Sequence, residues 1–170
     1  MEDAFGATAV GVASYAAATV AFLALTILLA VSWRGRAQGV RLIGASAMTA
    51  LWAALLTLQA WRDGFPAIVV YTLEVLRGGA WIFALLALAH GVLPRYLAIA
   101  AHTVWVVLAI VGWVFAAHAG RLLAPAGIAL ALAVLVLIEQ IYRNANASGR
   151  EDFKFLAIGL GGVFAFDLFL

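Results

Sequence analysis

From Ala4 to Trp33 the chain carries no charged side chain. A helix rising 1.5 Å per residue needs about 20 apolar residues to cross a hydrocarbon core of about 30 Å, so this run exceeds one crossing. In lipid every backbone N–H and C=O must be satisfied within the segment, which makes such a run a helix. The composition extends the argument to the whole chain: 67% of residues are hydrophobic and 11% charged, against about half and a quarter in soluble domains. The fold class is therefore all-α, a polytopic membrane helix bundle. Residues 1–170 read as one transmembrane domain with the lipid bilayer as its partner. No cysteine is present, which excludes disulfides, thiolate metal sites and a cysteine nucleophile. The acidic start Met1-Glu2-Asp3 and the length of the apolar run argue against a cleaved signal peptide.

Charged clusters and breakers divide the chain into about six transmembrane helices, over 5–31, 42–61, 67–89, 96–117, 122–142 and 153–170. Arg34, Arg36 and Arg41 close the first. Arg62-Asp63-Gly64-Phe65-Pro66 and the segment from Gly91 to Arg95 make turns, as does His118 to Arg121. The polar stretch Arg143 to Asp152 separates the last two helices. Pro66, Pro94 and Pro125 fall at helix ends. The basic residues come mainly in these connections, which points to membrane orientation, not to nucleic acid. With the N-terminus outside, the inner loops hold Arg34, Arg36, Arg41, Arg95, Arg143, Arg150 and Lys154, against Arg62 and Arg121 on the outer side. Trp33, Trp61, Trp113 and Tyr142 mark the interfaces, whereas Trp52, Trp81 and Trp105 lie mid-span, where packing is their role.

Glu74 and Arg77 stand three residues apart on one helix face, roughly 10 and 15 Å below the outer surface. A charge at that depth costs about 2.5 to 3.5 kcal/mol on insertion scales, so the two must face the bundle and pair. They and Asp167, in the outer half of the sixth helix, are the candidate signal-responsive polar centre. Mutual ion pairing that fixes packing is the plainer reading. Glu139 and Arg143 have the favourable order of an interfacial i,i+4 pair. His102 and His118 lie about 24 Å apart on one helix and cannot ligate one metal; His90 and His102 could approach, but two histidines make no site. The only lysine, Lys154, sits at a helix mouth. Ala9, Ala13, Ala17 and Ala21, and again Ala157, Gly161 and Ala165, read as close-packing faces. Gly159, Gly161 and Gly162 belong to an apolar helix, not a phosphate loop. No catalytic residue and no metal site is indicated, and the chain itself needs no cofactor.

The segment Glu139-Gln140-Ile141-Tyr142-Arg143-Asn144, followed after a polar loop by Lys154-Phe155-Leu156 and then by Gly159, Gly161, Gly162 and Asp167, resembles a known pattern. It is similar to the N-terminal membrane region of the sensor histidine kinases of the PEP-CTERM/exosortase system (PrsK-type), over about 32 residues. The resemblance implies a multi-helix input domain in a bacterial inner membrane, linked to exopolysaccharide and PEP-CTERM protein export. It further implies a dimer, a kinase half using ATP and Mg, and a cognate response regulator. Neither a phosphorylated-histidine box nor an ATP-lid motif occurs in these residues. The alternatives are a small transporter with a midplane Glu74, Arg77 and Asp167 site, and a membrane anchor or assembly subunit.

Overall fold

A computed structural model describes residues 2–33, 35, 37–62, 64–89 and 93–168, with the side chains of residues 2–8, 37, 148 and 152 left aside. Arg34, Arg36, Asp63, His90, Gly91, Phe169 and Leu170, which enter the sequence reading, lie outside the described residues. Six α-helices follow one another: α1 (Glu2–Val31), α2 (Ala37–Arg62), α3 (Ala67–Leu88), α4 (Arg95–Val114), α5 (Ala119–Asn144) and α6 (Ala147–Phe166), with a 3₁₀ turn at Ala116–His118 before α5. Among the described residues there is no strand.

Five of the helices are long and apolar enough to cross a membrane, and the chain is a multi-pass membrane protein. The sixth differs from expectation. It begins at Ala147, six residues before the anticipated start, because Asn146 Oδ1 accepts from the Gly149 N–H at 2.8 Å and caps the helix. Arg150 of α6 then donates to the carbonyls of Tyr142 and Ala145, at 3.1 and 3.0 Å, and to that of Arg143 at 3.0 Å. The polar stretch is thus not a loop but a tight corner followed by a helical turn bearing Arg150, Glu151 and Lys154. The apolar part of α6 runs only from Phe155, and this helix is not among the five with the length and composition of a full crossing. Asn146→Ala should lower stability by about 1 kcal/mol, the ordinary cost of losing a cap; denaturant titration of the detergent-solubilised chain measures it.

Two further boundaries move. α2 starts at Ala37 rather than at residue 42, carrying Arg41 on its first turns with the side chain exposed. α5 starts at Ala119, following directly on the 3₁₀ turn, and Gly120 faces α3, where an added Cβ would stand in ordinary contact 3.6 Å from the Ala67 Cβ. Pro125 consequently lies inside α5 and not at its end.

α3 is the centre of the bundle. It packs on α2, α4 and α5, while α1 rests chiefly on α2 and α6 chiefly on α5. Close approach is obtained with glycine, as lipid-immersed interfaces prefer. A Cβ at Gly78 would stand 2.9 Å from Leu130, one at Gly79 would enter the Trp105 indole, and one at Gly112 would enter the Tyr71 ring. The two aromatics are fixed by hydrogen bonds across helices, from Trp105 Nε1 to the Val75 carbonyl at 3.0 Å and from Tyr71 Oη to the Leu108 carbonyl at 2.7 Å. Of the two small-residue rows expected to pack, the first does not, since Ala9, Ala13, Ala17 and Ala21 are all exposed; the second does in part, with Ala157 half-buried against the core while a Cβ at Gly161 would meet nothing within 4 Å. α1 instead turns Tyr15, Phe22 and Thr26 inward, with Thr26 Oγ1 donating to Ser46 Oγ at 3.1 Å.

Candidate functional site

Two helices meet at one guanidinium. Arg77 of α3 donates through Nη2 to Glu74 Oε1 at 2.6 Å, one turn earlier on the same helix, and through the same nitrogen to Asp167 Oδ2 at 2.7 Å, in the turn that ends α6. Arg77 is 2% exposed and Glu74 7%, and the Asp167 side chain is 11% exposed. The depths agree from both sides. Asp167 lies thirteen residues past Lys154, about 20 Å along α6 from its basic end, which brings it to the level of Glu74 and Arg77 counted from the opposite surface. The structure therefore unites all three residues of the expected polar centre, and Asp167 finds the partner that its position demands.

The surroundings show why the charge is tolerated. The Trp52 ring of α2 lies with its centroid 3.9 Å from the guanidinium carbon, and the Phe164 ring of α6 at 5.3 Å. A cation over an aromatic face gains up to about 2 kcal/mol when desolvated. Tyr15 of α1 meets Trp52 edge to face, with ring centroids 6.0 Å apart. On the other side Gly127 of α5 leaves the Glu74 carboxylate uncrowded. One cation against two carboxylates gives the centre a formal excess of one negative charge. Its hydrogen bonding is incomplete: Arg77 Nε, Arg77 Nη1 and Trp52 Nε1 have no acceptor among the described residues. Buried donors left in that condition cost about 1 to 3 kcal/mol each.

Trp52 and Tyr15 are the residues that sequence reasoning did not attach to the centre. The signal was present in the 3.6-residue period of α2, which places Ala45, Thr49, Trp52 and Ala53 on one side. Thr49 Oγ1 there accepts from Trp81 Nε1 at 2.9 Å, so polar residues of α2 face α3 along its length.

The other candidates separate. Glu139 and Arg143 pair at 3.1 Å with both side chains more than half exposed, an interfacial pair worth about 0.3 to 0.5 kcal/mol. Asn144 donates to the Gln140 carbonyl at 2.8 Å, Tyr142 lies under Arg150, and Lys154 lies against the Phe155 ring. These motif residues occupy the end of α5 and the start of α6. Gly159 and Gly162 border a cavity that reaches the Arg77 centre, and Gly161 does not. His102 Nδ1 stands 2.7 Å from the Ala98 carbonyl, with its ring edge-on to Phe83, and His118 is exposed at the start of α5. Among the described residues no cluster of three metal-ligating side chains occurs.

The arrangement offers no nucleophile with a base beside it. It offers an ion centre in which a single nitrogen joins the central helix to the far end of the last one. No family model, curated protein or solved structure matches the chain.

Proposed function

We propose that the chain is the membrane-embedded input domain of a two-component sensor histidine kinase of the PEP-CTERM/exosortase type, resident in a bacterial inner membrane. The observation that carries the reading is the Arg77 bridge between Glu74 and Asp167. An input domain must convert a stimulus into a shift between two packings, and it does so only where the stimulus interacts differently with the two. The bridge supplies such an element. Its bonds to α6 end in one carboxylate, so a slide or rotation of α6 by about an ångström exchanges a short ion pair for a long one. The dimer, the ATP- and Mg-using kinase half and the response regulator belong to the parent protein that the resemblance implies.

Orientation enters the same proposal. Positive charge concentrates on one side, which places the amino terminus outside. A reporter active only in the periplasm should be active when fused after Asp63 or Gly120 and silent after Arg36 or Ser148. The opposite pattern would reverse the orientation.

In the parent kinase, Asp167→Asn should change autophosphorylation or the downstream transcript at unchanged protein level, because it weakens the joint between α3 and α6. An output indifferent to substitution at Glu74, Arg77 and Asp167 would reduce the domain to an anchor. A second reading, a small transporter, draws on Pro125, which interrupts the hydrogen-bond ladder inside α5 close to a cavity of about 240 Å³ lined by Glu74, Arg77 and Gly127. Liposomes holding the chain should carry no proton or solute current above empty vesicles. A flux abolished by Glu74→Gln would establish the transporter instead.

A further inference from the structure

On the exposed side of α4 a groove of about 560 Å³ begins at Arg95 and runs past His102 and Thr103 to Val106 and Val107. Neither reading uses it. Arg95 and His102 stand seven residues apart, so they share one side of the helix, about 10 Å from each other along its axis. α4 begins at Arg95, at the end of the bundle where α2 and α6 also begin and α3 and α5 finish, which is the end that carries Arg41, Arg143, Arg150 and Lys154. Arg95 is exposed and makes no ion pair among the described residues.

Two further polar groups of the groove lack a partner among the described residues. Thr19, Thr26, Thr49, Thr57 and Thr72 each return the hydroxyl to the carbonyl four residues back in the helix. Thr103, which is exposed, does not. His102 Nδ1 lies 2.7 Å from the Ala98 carbonyl, and a carbonyl can only accept, so Nδ1 is the donor and Nε2 is left as the acceptor of the ring. That bond folds the imidazole back toward the Arg95 end, where the Phe83 ring meets it with centroids 4.9 Å apart. The occupant must match this order of groups. A phosphate answers Arg95, a hydroxyl answers His102 Nε2, and an acyl chain answers the apolar stretch at Val106 and Val107. The headgroup layer of one leaflet is about 5 to 8 Å deep, which covers the step from Arg95 to the folded-back ring. A second copy fits less well, because a two-fold axis along the membrane normal would set Arg95 against its own counterpart and α4 has no carboxylate to answer it. A choline headgroup would bring another cation to an end already basic.

We propose that the α4 groove binds an anionic phospholipid with a hydroxyl in its headgroup, of which phosphatidylglycerol is the simplest. Its phosphate accepts from Arg95, a headgroup hydroxyl donates to His102 Nε2, Thr103 donates to an ester carbonyl, and one acyl chain lies along Val106 and Val107. The proposal concerns binding alone and holds whether or not the chain serves a kinase.

The test is native mass spectrometry of the full chain released from lipid-containing detergent micelles, which counts bound lipids one at a time. The first phosphatidylglycerol should bind about tenfold more tightly than the first phosphatidylcholine, and Arg95→Gln should remove that preference. Thr103→Val and His102→Phe should each weaken phosphatidylglycerol about threefold. Arg95 and Thr103 are exposed, so these two variants should melt at the temperature of the parent chain. Arg143→Gln takes a positive charge from the same end outside the groove, and should leave the preference intact. Phosphatidylethanol, the same phosphodiester without the hydroxyl, should bind about threefold more weakly than phosphatidylglycerol in the parent chain and equally well in His102→Phe. Equal binding of phosphatidylglycerol and phosphatidylcholine, or equal loss in Arg143→Gln, would overturn the proposal. Phosphatidylethanol at the level of phosphatidylglycerol would show that the hydroxyl is not read, and a dimer abolished by Arg95→Gln in place of a lipid adduct would give this face to a second copy; either result also overturns it.

Discussion

Arg77→Gln is expected to be the most damaging single substitution in the chain, lowering stability by about 3 to 5 kcal/mol. The loss is not only that of two ion pairs. Removal of the cation leaves Glu74 and Asp167 buried against each other, and an uncompensated buried charge costs more than the pair had contributed. Contact with the Trp52 face disappears as well. Glu74→Gln should cost less, since Asp167 still holds the guanidinium at 2.7 Å. Neutralising all three, with Glu74→Gln, Arg77→Met and Asp167→Asn, should recover part of the stability lost in Arg77→Gln alone, because the residual charges have gone. Equilibrium unfolding in mixed lipid–detergent micelles measures each step. Strict additivity across the set would show that the three residues do not act as a unit.

Gly112→Val is expected to cost about 1 to 3 kcal/mol by overpacking. A Cβ at that position would lie within the Tyr71 ring, and Tyr71 is 1% exposed and tied to Leu108 by its hydroxyl. Relief requires either that hydrogen bond or the contact between α3 and α4 to give way. Gly161→Ala, where the added methyl meets open space, is the matched control and should shift the midpoint by no more than about 0.5 kcal/mol. Equal effects of the two would show that α4 does not pack through Gly112.

The helical class and the multi-pass character follow from hydropathy alone, because lipid leaves the backbone no alternative to helix over runs of such length. The polar centre was legible for a related reason. Charges at membrane depth are few, so Glu74, Arg77 and Asp167 identify one another by elimination of partners. Packing was not legible. Alanine and glycine rows appear on many faces of an apolar helix, and periodicity does not say which face meets protein and which meets lipid: Ala9 to Ala21 turned outward, while Gly79 and Gly112 receive whole aromatic rings. The boundary of α6 was missed because polar residues after Asn146 resemble a loop, yet a cap and the reach of Arg150 to three carbonyls suffice to make them helical. Trp52 was visible as a mid-span aromatic, but its stacking on Arg77 depends on how α2 is rotated, which no single helix specifies.

The two carboxylates that share Arg77 are made at different times. Glu74 precedes the arginine by three residues, whereas Asp167 follows it by 90. At about 5 to 20 residues per second of synthesis, the arginine waits on the order of five to twenty seconds for its second partner, with α3 already leaving the translocation machinery. During that interval Glu74, on the same helix face, and Trp52, on the earlier α2, are the partners that can offset the cost of carrying a guanidinium into hydrocarbon. Glu74 is thus the carboxylate that accompanies Arg77 from the start, and Asp167 the one that joins α6 to it later.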